Sequence, residues 1–573
     1  MGRRNLTPAC GAACAAILAL FAAPAALAEE ALTYVLTPDF SRGVLRVELT
    51  WETAGRGKST LGVSPRWGPI DDVPALIRKL DIDAGGASAP IERDGAMWHI
   101  PHRQGARLRV RYEVDPGVRA FDDWSHTHHP ITGPDFFHGM GNAFLLTPQP
   151  GNRIPRRYQT VMRWVLPAGH EAACSWGVGR HVGDTLDASD LRHSIYVAGK
   201  LSKHTLEREG RSISVVLAGD LGFDAAKFAE FSERIIAAQC AFMGEREFPP
   251  FVVTAAAIGP PLREGELRIS GNGLYHSFAL QLAPSSKLDD GVQHLFAHEL
   301  FHYWNGRKLE AADPERLVFW FTEGFTDYYA LRILFESGIW DARTYAKWLN
   351  KHLREYALNP ARNATNADIQ ERYWSERATV GEAAYQRGLL LGLRWQRMAR
   401  AQGVKSGVDA LLFALLARAE SGAFRVSNDN LRSLGIETLG KWFGAEFDRY
   451  VVRADTIELP ADVLSPALAG ETIETFAYEL GFKQSESLRG KRVTGLKPGS
   501  AAAAAGLREG DVLSAWRVPG NADEPTRLTV KRGERSIEIE YLARGAATKV
   551  LQFRPGDAKA APPRATSKPA KKP

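Results

Sequence analysis

The sequence lacks the features that would stabilise a chain covalently or anchor it in a membrane. Its 573 residues include only four cysteines, too few for a disulfide framework. Its apolar run at 15–23 (AAILALFAA) is shorter than the roughly 20 residues that span a bilayer, and no other run of that length follows. Wholesale disorder is excluded because the hydrophobic content of 45% is typical of folded domains. We predict a soluble chain of three or four folded units, at roughly 100–200 residues each.

Positive charge is in excess only at the two ends. The formal net charge is +6; residues 1–28 carry two of these charges and residues 553–573 carry five, which leaves −1 for the body. A nearly neutral body does not indicate nucleic-acid binding, and we expect no such partner. Residues 556–573 are rich in Ala, Pro and Lys, and we predict that 553–573 is a disordered basic tail.

Residues 1–28 are typical of an export signal. Arg3 and Arg4 precede the apolar run, and Ala26-Leu27-Ala28 supplies the small residues of a cleavage site before Glu29. We therefore expect a periplasmic or secreted protein without a transmembrane segment. Removal of this segment leaves Cys174 and Cys240, which in an oxidising compartment either pair or remain free.

Three different sequence patterns follow one another along the body and predict a multidomain α+β fold. Residues 29–170 alternate as β-strands do, for example at 44–51 and 108–114. Residues 171–460 become mostly helical, with long helix-compatible segments at 224–242, 291–304, 317–335, 342–356 and 379–400, and a strand at 251–257. Residues 470–550 change again. There the order of Leu480-Gly481-Phe482, a small-residue segment (499–507) and a GDVL strand (510–513) resembles a bacterial PDZ domain.

The sharpest chemical signal is His298-Glu299-Leu300-Phe301-His302. Histidines at i and i+4 project from the same face of a helix and can bind one metal ion. Glu299 is placed to accept a proton from an attacking water. The flanking segment 294–304 contains neither Pro nor Gly, which favours the helix that this arrangement requires.

A catalytic zinc ion needs a third protein ligand and an open position for water. Glu323 is the candidate, because the 20 residues after His302 allow a turn and a returning helix. Asp327 lies one turn beyond it, where a carboxylate can orient a ligand histidine; otherwise it is an ordinary surface acid. These residues predict one Zn²⁺ per chain.

The segments 298–306 (HELFHYWNG) and 319–330 (FWFTEGFTDYYA) resemble the glycyl-aminopeptidase family of gluzincin metallopeptidases. The resemblance implies an N-terminal β domain, a mostly helical thermolysin-like catalytic domain and a C-terminal PDZ domain, from about residue 31 to 550. It also implies that His298, His302 and Glu323 are the zinc ligands and that Glu299 is the general base.

The same resemblance implies roles for residues in two further segments. Residues 382–388 (EAAYQRG) are similar to a family segment whose tyrosine stabilises the transition state, which implies that role for Tyr385; the alternative is helix packing. Residues 271–277 (GNGLYHS) match a substrate-binding strand, which implies contacts from Gly273, Leu274, Tyr275 and His276.

The strand also departs from the family pattern. Tyr275 stands where the family has a glutamate that holds the free amine of the substrate, and a neutral phenol cannot neutralise an ammonium group. Glu264 or Glu266 could substitute for it, although their loop setting favours a solvated role. The strand itself remains suited to binding a peptide edge-on.

We expect an exported zinc metallopeptidase, an aminopeptidase acting on small N-terminal residues such as Gly or Ala. Two alternatives stay open. Tyr275 favours an endopeptidase without a free-amine requirement, and the PDZ-like segment favours a peptide-binding scaffold. In the latter, Leu480, Gly481 and Phe482 would bind a C-terminal carboxylate through backbone N–H groups.

Overall fold

The computed structural model describes residues 30–53, 57–85, 91–115, 127–149, 156–260, 268–422 and 424–556. The predicted export signal, Glu264, Glu266 and residues 557–573 of the predicted tail lie outside these ranges. The described chain is multidomain α+β, with an N-terminal β region and a helical region, as the sequence predicts.

The N-terminal region consists of paired strands around their own core. They are β1 (Ala31–Asp39), β2 (Val44–Glu52), β3 (Lys58–Gly62), β4 (Ile77–Ala84), β5 (Glu92–Asp94), β6 (Met97–Pro101), β7 (Arg107–Val114), β8 (Ile131–Thr132), β9 (Phe136–Met140), β10 (Thr147–Pro148), β11 (Arg157–Trp164), β12 (Glu171–Cys174), β13 (Gly177–Val178), β14 (His181–Asp187) and β15 (Ile195–Gly199), with one short helix, α1 (Ala188–Arg192). Inward-facing residues alternate along β1 and β7, as in half-buried strands.

Three sheets divide these strands, in the orders β14-β11-β1-β2-β7-β4, β10-β3-β6-β5 and β13-β12-β15-β9-β8. β14 pairs with β11 and β15 with β9, so the region extends to Gly199 rather than ending at residue 170. The predicted boundary is too early because this pairing is non-local.

The central region combines a five-stranded sheet with most of the helices. Its strands are β16 (Leu201–Arg208), β17 (Arg211–Ala218), β18 (Phe251–Ala257), β19 (Ile269–Leu274) and β20 (Ser277–Leu282), in the order β16-β17-β18-β20-β19. Its helices are α2 (Ala225–Met243), α3 (Asp290–Phe301), α4 (Phe319–Thr322), α5 (Gly324–Glu336), α6 (Ala342–Leu358), α7 (Asn366–Arg372), α8 (Glu382–Ala401), α9 (Asp409–Glu420), α10 (Asn428–Leu439) and α11 (Trp442–Phe447). β19 is an edge strand, and α3 packs beside it.

Helices α5 and α8 approach each other through two glycines. A Cβ on Gly324 would lie 2.5 Å from the Cα of Gly388, and a Cβ on Gly388 would meet the carbonyl oxygen of Trp320. No side chain larger than hydrogen fits at either position. This contact brings Glu323, immediately before α5, close to the first turn of α8.

The C-terminal region has two parts. An antiparallel ribbon consists of β21 (Leu468–Tyr478) and β25 (Arg544–Pro555). A smaller unit contains α12 (Gln484–Gly490), α13 (Ala501–Ala504) and the sheet β22 (Val512–Arg517), β23 (Pro525–Arg532) and β24 (Arg535–Leu542). The smaller unit has its own apolar cluster, which includes Leu480, Phe482 and Val493.

The ribbon packs against α6 and belongs to the core of the central region. Leu468, Val550 and Phe553 are buried in that core, and the backbone of Phe553 exchanges hydrogen bonds with the Asn350 side chain. β25 runs to Pro555, so a tail beginning at residue 553 is wrong for its first three residues. The predicted boundaries at 470 and 550 likewise fall inside the two strands of the ribbon.

The two cysteines do not pair. Cys174 is buried in the N-terminal core and Cys240 in the central core, and both are free thiols. Among the described residues, no helix combines the length and apolar character needed to cross a bilayer.

Candidate metal centre

Helix α3 presents His298 and His302 on one face. The Asp289 side chain accepts from the N–H groups of Gly291 and Val292 and so caps the helix. His298 is 6% exposed. The Nε2 atoms of the two histidines lie 3.1 Å apart, so both imidazoles point to one position.

Glu323 completes a triangle of donor atoms. It lies between α4 and α5, which split the single helix predicted at 317–335. Its Oε2 is 3.4 Å from Nε2 of His298 and 3.5 Å from Nε2 of His302. A tetrahedral zinc ion with bonds of about 2.0–2.1 Å requires donor atoms about 3.3–3.4 Å apart. The predicted ligand set therefore fits zinc in donor type and spacing.

The other ring nitrogens of both histidines are held by acceptors. Nδ1 of His298 lies 2.8 Å from Oδ1 of Asp327, and Nδ1 of His302 lies 3.1 Å from the carbonyl oxygen of Asn305. The Asn305 amide donates to the carbonyl oxygen of Phe321 at 3.0 Å. Because Nδ1 is occupied in both rings, each histidine can offer the lone pair on its Nε2 to a metal ion.

The electrostatics of this cluster follow from burial and charge. Burial opposes ionisation of Glu323, but the adjacent imidazoles outweigh it and lower its pKa. Burial likewise opposes protonation of His298 and His302, yet Asp327 and Glu323, respectively, raise their pKa values. The cluster is therefore built to hold positive charge.

Glu299 faces the edge strand beside the triad. Its Oε2 accepts a hydrogen bond of 2.8 Å from the backbone N–H of Gly273. A Cβ at Gly273 would lie 2.8 Å from the Glu299 carbonyl oxygen, so β19 can approach α3 this closely only with glycine. Burial raises the pKa of Glu299, which suits a group that accepts and returns a proton.

Tyr385 lies across from the triad in the first turn of α8. Its ring stacks on that of His298, with centroids 6.0 Å apart, and its hydroxyl is 3.1 Å from that of Tyr373. The Arg377 guanidinium lies 4.9 Å from the centroid of each tyrosine ring. Burial and the charge of Glu323 raise the pKa of Tyr385, so its hydroxyl keeps its proton.

Beyond Gly273, the predicted substrate strand turns away from the metal centre. Tyr275 is 7% exposed and packs in the N-terminal core, with the Arg307 guanidinium 4.4 Å from its ring centroid. His276 stacks on Tyr275 at 4.2 Å, and Leu274 packs against a cluster formed with the N-terminal sheets. Tyr275 and Leu274 therefore pack against the N-terminal region, whereas Gly273 hydrogen-bonds to Glu299.

Sequence reasoning missed three residues around the site. Asn305 holds His302, Tyr373 contacts Tyr385, and His294 lies 3.0 Å from Asp327 through its Nε2. A signal existed for His294, which precedes His298 by one helical turn, and for Asn305 within the motif at 298–306. Tyr373 lies in a separate segment, and its sequence carries no comparable signal.

Comparisons with known proteins agree with this geometry. Residues 292–391 match the family model of the M61 glycyl aminopeptidases. The fold is similar to that of an aminopeptidase N family protein from Idiomarina loihiensis (TM-score 0.67, 17% identity, 91% of this chain and 98% of that one). It is also similar to an M1 zinc metallopeptidase from Deinococcus radiodurans (TM-score 0.50, 17% identity, 75% and 95%).

At 17% identity, the similarity to these two structures shows a shared fold and no more. A search of curated protein sequences found no match. The family match, however, covers both segments that supply the donor triangle. The resemblance to glycyl aminopeptidases is therefore confirmed, and the chain is a zinc metallopeptidase of the aminopeptidase type.

Proposed function

We propose that the protein is an exported aminopeptidase that hydrolyses the peptide bond after a small N-terminal residue such as Gly or Ala. One observation carries the peptide-binding part: the N–H of Gly273 on edge strand β19 donates to Oε2 of Glu299. A peptide that adds to this edge as a further strand has its backbone beside the general base. The preference for small residues is taken from the matched family.

In this proposal each catalytic side chain has one task. His298, His302 and Glu323 hold Zn²⁺, which when bound polarises the scissile carbonyl and makes the attacking water more acidic. Glu299 takes the proton from that water at a carboxylate oxygen and delivers it to the leaving amine. The Tyr385 hydroxyl donates a hydrogen bond to the developing oxyanion. Tyr373 positions this hydroxyl at 3.1 Å.

The free-amine requirement is the part that Tyr275 puts in question. Its phenol is buried under Arg307 and carries no negative charge toward a substrate. We propose to decide between aminopeptidase and endopeptidase with matched peptides that differ only in N-terminal acetylation. Cleavage of the free form alone, abolished by a chelator, supports the aminopeptidase. Equal cleavage of both forms supports the endopeptidase.

Export is proposed from residues 1–28 alone. N-terminal sequencing of protein recovered outside the cytoplasm should begin at Glu29. A chain that keeps Met1 and stays in the cytoplasm would contradict this part without affecting the peptidase.

A second proposed role is peptide binding by the PDZ-like unit. The carbonyl oxygens of Leu480 and Gly481 accept bonds from the Tyr541 hydroxyl and the Lys497 N–H at 2.7 and 2.8 Å. No described residue accepts a backbone hydrogen bond from the N–H groups of Leu480, Gly481 or Phe482. Successive free N–H groups of this kind suit a C-terminal carboxylate.

Because the ribbon belongs to the central core, a deletion of 470–550 does not separate the two roles cleanly. The test uses the full chain with peptides that carry either a free or an amidated C-terminus. Binding of the free form in the presence of a chelator, lost in Gly481→Val and kept in Gly490→Ala, supports the role. Gly481 has φ +86°, whereas a Cβ at Gly490 meets no atom within 4 Å.

A further inference from the structure

A second cluster of metal-ligating side chains lies one helical turn from the catalytic triad. It consists of His294 on α3, Asp327 on α5 and His352 on α6. Each residue offers one ligand atom, and the three atoms lie within 4.8 Å of one another. His294 precedes His298 by four residues and Asp327 follows Glu323 by four, so the two helices repeat their donor pattern one turn along.

The cluster contains a buried imidazole nitrogen without a partner. His352 is 7% exposed, and its Nε2 is buried with no hydrogen-bond partner among the residues that the structure describes. Burial lowers the pKa of His352 to about 3, so its ring is neutral, the form that binds metals. An unpaired buried polar atom is costly, and a bound ion would satisfy it.

The surroundings favour a compact cation over an organic ligand. The Trp348 ring lies 4.5 Å from that of His294, centroid to centroid, and the rings of His294 and His352 are 5.8 Å apart. Outside the cluster, Glu355 has its Oε2 3.9 Å from Nδ1 of His352, and Lys351 lies over Trp348. His294 keeps 15% of its side chain exposed, which leaves a route to solvent.

We propose that His294, Asp327 and His352 form a second metal site, which binds Zn²⁺ or a similar divalent metal ion. Two imidazoles and one carboxylate are a donor set that zinc accepts, with a fourth position left for water. An ion here fixes Asp327, whose Oδ1 also lies 2.8 Å from Nδ1 of His298. The site therefore has a positioning role toward the catalytic triad and takes no part in bond cleavage.

The test counts bound metal and does not depend on peptidase activity. The full chain is stripped with chelator, dialysed against buffered Zn²⁺, and analysed for zinc by mass spectrometry. We expect two equivalents in the wild type and one each in His352→Gln, His294→Gln and His302→Gln. His204→Gln, which removes an exposed histidine on β16, should keep two.

One equivalent in the wild type overturns the proposal, as does an unchanged count of two in both His352→Gln and His294→Gln. Circular dichroism identifies any variant that fails to fold. If His352→Gln and His294→Gln both fail to fold, the second site is tested with His302→Gln. Loaded with cobalt, this variant should retain one equivalent of metal and show a visible ligand-field absorption. Loss of all cobalt from a folded His302→Gln variant would refute the second site while leaving the proposed peptidase intact.

Discussion

The backbone N–H of Gly273 donates a hydrogen bond of 2.8 Å to Oε2 of Glu299. This bond links edge strand β19, the proposed peptide-binding strand, to Glu299, the proposed general base. The geometry leads to a direct prediction for the carboxylate.

Replacing Glu299 with Gln should lower kcat by about 10²–10⁴, the usual contribution of a general base. The amide keeps the hydrogen bond from Gly273 but cannot accept the proton of water. Zinc content, measured on the same preparation, should equal that of the wild type. Activity within tenfold of the wild type would contradict the assignment.

Replacing Tyr385 with Phe should lower kcat by about 10²–10³ with little change in KM, because the hydroxyl acts only on the transition state. Tyr373→Phe is the matched comparison. It keeps the Tyr385 hydroxyl and removes only its partner at 3.1 Å, so a smaller loss is expected. If steady-state kinetics gave the same loss of kcat for both variants, the two hydroxyl groups would act together and not as catalyst and support.

Replacing Asp327 with Asn should weaken zinc binding at the catalytic triad about 10–100-fold, as measured by zinc titration that restores activity to chelated enzyme. The carboxylate is the acceptor for Nδ1 of His298 at 2.8 Å. Asp429→Asn, at an exposed position on α10, is the control. An unchanged midpoint in Asp327→Asn would mean that His298 needs no such support.

Zinc affinity should rise with pH above the ordinary histidine pKa of about 6.5. Asp327 and Glu323 raise the pKa values of His298 and His302 against the opposing effect of burial, so protons compete with zinc for Nε2. Each displaced proton steepens the dependence by about tenfold per pH unit. Competition with a chromophoric chelator measures the slope, and a flat profile would contradict the raised pKa values.

Replacing Gly388 with Ala should destabilise the fold by about 1–3 kcal/mol, the usual cost of overpacking a core. The added methyl group would meet the Trp320 carbonyl oxygen and the Cα of Gly324. Urea unfolding measures the effect. Gly490→Ala, where a Cβ meets no atom within 4 Å, is expected to stay within about 0.5 kcal/mol of the wild type.

Local patterns were sufficient to predict the donor triangle. The i, i+4 spacing places His298 and His302 on one helix face, and the second segment places Glu323 and Asp327 one turn apart. Helix and strand types were predictable for the same reason: segments such as 224–242 and 251–257 show their periodicity within a few residues. The break at Glu323 was missed, because each half is helical by itself.

What escaped prediction depends on contacts between distant segments. Tyr275 and His276 form the two-residue turn between β19 and β20, and the φ of +40° at His276 reverses the chain there. The reversal places Tyr275 under Arg307, which an alignment with the family strand could not indicate. The domain boundary at Gly199 and the separation of the two cysteines are likewise set by long-range pairing.

The ribbon has a consequence for how the protein is made. Phe553 and Val550 belong to the core that surrounds α6, yet they are synthesised after all the helices of the central region. Helices α3 and α5, which position the donor triangle, end more than 200 residues earlier in the chain. A nascent chain therefore carries every catalytic residue before its core is closed. Completion of the C-terminal strand, and not synthesis of the active-site motif, sets the moment at which the full catalytic region can assemble.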